Sequence, residues 1–172
     1  MSVLKSTGGA LGWCLLLSLV VPFVTATVLG LSVPAVLGLI ASAFLIEYGA
    51  APIGIALGLP PAYVLFTVIC IEAGIYLVLY GIIDTFGQAS GWVAGFLGKT
   101  KALAQRSRLF DRYGIFGLFP CEILLGVYVC APVSRLFGWP RAKSFAITMA
   151  GFCAAAVITT LTTVGIIRLF FT

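Results

Sequence analysis

Between Lys5 and Glu47 the chain carries no charged residue, and between Lys143 and Arg168 it again carries none. Soluble domains place charge at about a quarter of their positions, whereas a spanning helix needs roughly 20 apolar residues in succession. Ser144 to Ile167 supplies one span cleanly. The earlier gap is too long for a single span and must hold a span plus something else. Composition agrees, since 62% of the 172 residues are hydrophobic and only 9% are charged. The expected fold class is therefore an all-α integral membrane protein. A cleavable signal peptide is the alternative reading of Lys5, "LGWCLLLSLVVPFV" and "TAT". The apolar sequence runs on to Ile46, which a signal peptide would not need.

Three stretches read as full spans: Leu11 to Leu31, Tyr63 to Ile83, and Phe145 to Phe170. Two others are long enough to cross but broken at mid-length. The first, "SVPAVLGLIASAFLIEYGAAPIGIALGLPP", is interrupted by Pro34, Glu47, Pro52 and Pro60. The second, "YGIFGLFPCEILLGVYVCAPVSRLFGWPRAK", is interrupted by Pro120, Glu122, Pro132 and Arg135. If both crossed, Lys5, Arg135, Arg141 and Lys143 would face Lys99, Lys101, Arg106, Arg108 and Arg112 across the bilayer. If both are re-entrant hairpins, all nine lie on the cytoplasmic side and only Arg168 lies outside. Basic residues gather on the cytoplasmic side of membranes, so the hairpin reading is preferred. It gives about three full transmembrane helices plus two re-entrant helical hairpins, with the N-terminus in the cytoplasm and the protein in the plasma or inner membrane.

The broken segments also repeat each other. "APIGIALGLPPA" (51–62) and "APVSRLFGWPRA" (131–142) share A-P-[IV]-x-x-x-x-G-x-P-x-A at an offset of 80 residues. Hairpins entering from opposite faces, each followed by a span, form an inverted repeat, which is a transporter architecture. The expected organisation is one polytopic domain. Repeat 1 covers about residues 34–83, a cytoplasmic basic and interfacial stretch covers 84–112, and repeat 2 covers about 113–170. Gly87, Gly91 and Gly95 at four-residue spacing suggest a short interfacial helix with a close-packing face.

Proline suits the first turn of a helix, where its missing N–H is no loss. Pro52 and Pro132 are thus expected to start the returning half-helices near the hairpin tips. Helix N-termini there would offer free N–H groups and partial positive charge to an anion such as phosphate or carboxylate. Glu47, Glu122 and the mid-span Glu72 could exchange protons or bind a cation, since a buried carboxylate must protonate or find a partner. Arg112 and Arg135 are the candidate partners. The blander readings stand beside these: Glu47 or Glu122 solvated at an interfacial hairpin end, and Arg135, Arg141 and Lys143 snorkelling to fix orientation. Thr159, Thr160, Thr162 and Thr163 read as helix packing. With no histidine and five scattered cysteines lacking a C-x-x-C pair, no metal, no cofactor and no enzyme activity is expected. The net charge of +5 reflects membrane sidedness rather than nucleic acid.

"YGAAPIGIALGLPP", together with "FDRYGIFGL" leading into "GVYVCAPVSRLFGWPRAKSFAITMAG", resembles the small multidrug export protein family, itself similar to a distant branch of the DedA/VTT superfamily. The resemblance covers about Ile46 to Gly165. It implies two re-entrant hairpins with associated spans, and transport or scrambling of lipids such as polyprenyl phosphates. Three functions remain open: a transporter or flippase for an anionic lipid or amphiphile, a small-molecule or drug exporter using a protonatable glutamate, and a non-transporting subunit of a larger membrane complex. The partners implied are membrane lipids, with a homodimer or partner subunits as the protein contacts.

Overall fold

The computed structural model describes residues 11–86 and 108–171, with Gly9 and Gly95 besides. Lys5, Gly87, Gly91, Lys99, Lys101 and Arg106 lie outside the described residues, and with them the expected interfacial stretch. Every described element is helical. Helix α1 covers Leu11–Val28, α2 Val33–Ile46, α3 Ala50–Ala56 and α4 Pro61–Phe86. Then come α5 (Arg108–Tyr113), α6 (Leu118–Leu125), α7 (Val127–Leu136) and α8 (Arg141–Phe171). The chain divides into two compact units, Met1–Trp13 with Ile75–Gly151, and Cys14–Gly74 with Phe152–Thr172, as far as these are described.

Among the described residues, four stretches are long and apolar enough to cross a membrane: Leu11–Val28, Val33–Ala56, Pro61–Ile83 and Arg141–Ile166. The one beyond the three expected from sequence is Val33–Ala56. Its backbone does not run straight. α2 ends at Ile46, a tight turn covers Glu47–Gly49, and α3 returns beside α2. The return is visible in close approaches: a β-carbon added at Gly54 would lie 2.8 Å from Leu39 Cδ1, and one at Gly38 would lie 3.0 Å from Leu57 Cδ1. In a continuous helix Leu39 and Gly54 would sit more than about 20 Å apart. The buried residues Val36, Leu39, Ile40 and Ala43 form the stripe at helical spacing that α3 covers.

The second broken segment takes the same form within its own unit. α6 and α7 meet at Gly126, whose φ of 75° and ψ of 179° reverse the chain. Cys130 Sγ then comes to 3.8 Å from the Leu118 carbonyl oxygen. Phe110, Leu118, Cys121, Cys130 and Val133 make this unit's core, with Phe137 and Trp139 packed against it.

The repeated motif has a physical explanation in these hydrogen bonds. Leu57, Gly58 and Leu59 donate to the carbonyls of Ile53, Ile55 and Gly54, and Val64 donates to Pro60. Eighty residues on, Phe137, Gly138 and Trp139 donate to Val133, Arg135 and Ser134, and Ser144 donates to Pro140. Gly58 and Gly138 sit at φ 81° and 66°, the left-handed cap that closes a helix. Proline then opens the next helix. Leu29, Gly30 and Leu31 close α1 by the same bonds. What the motif encodes is a helix stop followed by a restart.

Two further glycines, Gly74 and Gly151, admit close helix contacts. At Gly74, an added β-carbon would lie 2.7 Å from Ser18 Oγ on α1. There α1 carries a wider π-turn over Leu16–Val20, just before Pro22, which has no N–H to donate to the preceding turn. At Gly151 on α8, the added atom would lie 2.7 Å from the Phe119 carbonyl oxygen and 3.0 Å from Glu122 Cβ. Gly151→Ala is therefore expected to displace α6 and to cost about 1–3 kcal/mol. Gly165, with nothing within 4 Å, should accept alanine with unchanged or raised stability. Thermal unfolding in detergent separates the two, and equal melting temperatures would refute this packing.

Candidate functional site

α2 stops at Glu47, whose φ is 52° and ψ −125°. The other described residues with positive φ are all glycines: Gly30, Gly58, Gly114, Gly126 and Gly138. A side chain held in such a region costs about 1–3 kcal/mol and persists only where the surroundings impose it. The Glu47 side chain is turned inward, and the residue is 9% exposed. Its neighbour Tyr48 packs edge-on against Phe152, with centroids 6.1 Å apart.

Glu72, on α4 of the same unit, is 1% exposed. A carboxylate oxygen of Glu47 and one of Glu72 lie within 4.8 Å of each other. Two full negative charges at 4.8 Å repel by roughly 3.5 kcal/mol at an effective dielectric constant of about 20. Repulsion of that size favours a proton shared between two such oxygens, or a cation on them. That is the chemistry this arrangement can perform.

In the other unit, Glu122 is fully buried on α6, and its carbonyl accepts the N–H of the tip glycine, Gly126, at 3.0 Å. Glu122 stands one turn before its tip, whereas Glu47 is the tip itself. Pro52 is the third residue of α3, in the first turn as expected. Pro132 is not where the sequence placed it, for it is the sixth residue of α7 and lies inside the helix. Gly126 already reverses the chain, so the helix restarts at Val127. Pro132 only withholds the one N–H that would reach the Tyr128 carbonyl.

Arg135 lies in the last turn of α7 and is half-buried. Arg112 is exposed at the end of α5, its guanidinium 5.7 Å from the centre of the Tyr113 ring. Three of the four threonines bond back to their own helix: Thr159, Thr162 and Thr163 donate to the carbonyls of Ala155, Ile158 and Thr159 at 2.8 Å.

Tyr76, which by sequence alone reads as a belt or packing residue, packs inside its unit and makes a polar contact there as well. It is fully buried, and its hydroxyl shares a hydrogen bond of 3.2 Å with Ser134 on α7. Its ring stacks on Tyr80 at 6.0 Å and meets Phe145 edge-on at 5.3 Å. Arg141 lies 5.3 Å from the centre of the Tyr80 ring. The signal was present in the spacing: Glu72, Tyr76 and Tyr80 recur every four residues and so fall on one helical stripe.

No curated protein and no solved structure is significantly similar to the chain. The family profile of small multi-drug export proteins matches residues 47–158, from the Glu47 tip to the middle of α8. That is well over half the sequence, and the chain belongs to the small multi-drug export protein family.

Proposed function

We propose that the protein moves an anionic lipid or amphiphile, such as a polyprenyl phosphate, across the bilayer in exchange for protons. The observation that carries this reading is Glu47, held at positive φ with its carboxylate beside that of Glu72. Strain of this kind collects at functional sites, and a carboxylate pair is suited to take up and release one proton. Glu122 in the second hairpin is assigned the same task. The anion preference is supported by the returning arms α3 and α7, which both begin at a tip. Their N-terminal dipoles, with Pro52 and Pro132 along the arms, favour negative charge, and Arg135 adds a positive charge to the second arm. Arg112 is assigned a lesser, surface role.

In this reading the two hairpins dip into the bilayer from opposite faces as an inverted repeat, with the N-terminus in the cytoplasm of the cell-membrane protein. The wider DedA/VTT kinship rests on the sequence resemblance alone. The family's description favours small-molecule export as the second reading.

Reconstituted vesicles test both. A fluorescent polyprenyl phosphate is expected to flip faster as the pH falls, and a zwitterionic lipid is expected to remain in its leaflet. Flux of a lipophilic drug cation without flipping would favour the second reading. Equal rates for both lipids would remove the first. In the same vesicles, cysteines placed at Lys101 and Lys143 should label from one face, and labelling from opposite faces would exclude the hairpin topology.

A further inference from the structure

Cys121 and Cys130 are free thiols on the two arms of the second hairpin, buried in one core with Leu118 and Val133. The fold-back at Gly126 brings them together. Cys130 Sγ reaches the Leu118 carbonyl at 3.8 Å, and that carbonyl lies one helical turn before Cys121 on the same face of α6. Both thiols thus belong to one buried cluster between the two arms. The other three cysteines, Cys14, Cys70 and Cys153, are only partly buried and belong to the other unit.

We infer that Cys121 and Cys130 form a reversible disulfide that staples the two arms of the hairpin across its glycine tip. Cys130 already reaches the α6 carbonyl one turn from Cys121, so the arms need little backbone movement to bring the two sulfurs to bonding geometry. The oxidant is a low-molecular-weight disulfide. Cys121, 4% exposed against 0% for Cys130, reacts first. Its thiol loses a proton, and the thiolate displaces one thiol from the oxidant to form a mixed disulfide. Cys130 then loses its proton and attacks Cys121 Sγ, releasing the second thiol. Two electrons pass from the cysteine pair to the oxidant's S–S bond, and two small thiols leave. The bond fixes α6 to α7, so the arms carrying Glu122 and Arg135 can no longer part. This inference is independent of the substrate assigned above.

The test uses the full chain in detergent with Cys14, Cys70 and Cys153 replaced by alanine, and dipyridyl disulfide, a small apolar oxidant. Two pyridinethiones per chain should be released, with no pyridyl group left on the protein by mass spectrometry. Dithiothreitol should restore both thiols. In the Cys130→Ala version of the same protein, one pyridinethione should be released and one pyridyl group kept on Cys121. Absence of release from the intact pair, a pyridyl adduct retained there, or a disulfide-linked dimer of chains would each overturn the inference.

Discussion

Glu47→Gly protein is expected to melt above Glu47→Ala protein, while both carry substrate no faster than protein-free vesicles. The two substitutions delete the same carboxylate and differ in what they do to the backbone. Alanine leaves a β-carbon at φ 52°, where an L-residue bears about 1–3 kcal/mol of strain. Glycine removes that strain but loses about 0.5–1 kcal/mol to its greater freedom when unfolded. The balance favours glycine by about 1 kcal/mol, or roughly 2–4 °C for a chain of this size. On the proton exchange proposed above, Glu47→Gln is expected to fold like the parent and to lose the pH dependence of transport, because an amide takes up no proton in this range. Coincident melting of the glycine and alanine variants would show that the turn is unstrained. Full activity of Glu47→Gly would remove the carboxylate from the mechanism.

The second hairpin should answer in the opposite direction. Gly126 occupies φ 75° with ψ 179°, a region open in practice to glycine alone. Gly126→Ala is expected to cost about 2–3 kcal/mol and to lower the melting temperature by roughly 5–10 °C, with a matching fall in folded protein recovered from membranes. Gly138→Ala, at φ 66° in the milder left-handed helical region, should cost about 1–2 kcal/mol. If the two alanines cost the same, the reversal at Gly126 is not a special conformation. The molecule therefore has one tip made with the residue that fits and another made with a residue that does not. The misfit is the one that brings a carboxylate.

Much of this was legible from residue types. The charge-free gaps and the proline-and-acid breaks announced an all-helical membrane chain with two interrupted segments. Pro52 stood in the first turn of its arm, and the glycine and proline of the repeated motif stop and restart helices as their chemistry requires. The position of the reversals was less legible. Proline marks a helix start only when nothing upstream has already turned the chain, and Gly126 had done so before Pro132. Glu47 at a glycine-like φ follows no propensity, because surrounding packing imposes it. The carboxylate pair of Glu47 and Glu72, and the bond from Tyr76 to Ser134, join residues distant in sequence. Only the folded arrangement reveals them.

The hairpins also bear on how the chain is made. Leu39 meets Gly54, and Cys130 meets Leu118, so each hairpin closes using residues translated close together in time. A ribosome adds about 5–20 residues per second, while a loop of about 10 residues closes in roughly 10–100 ns. Each hairpin can sample its closed form many times over before the long helix that follows has left the tunnel. A stretch such as Val33–Ala56, apolar enough to be threaded across as one span, has time to fold back on itself while it is still being made.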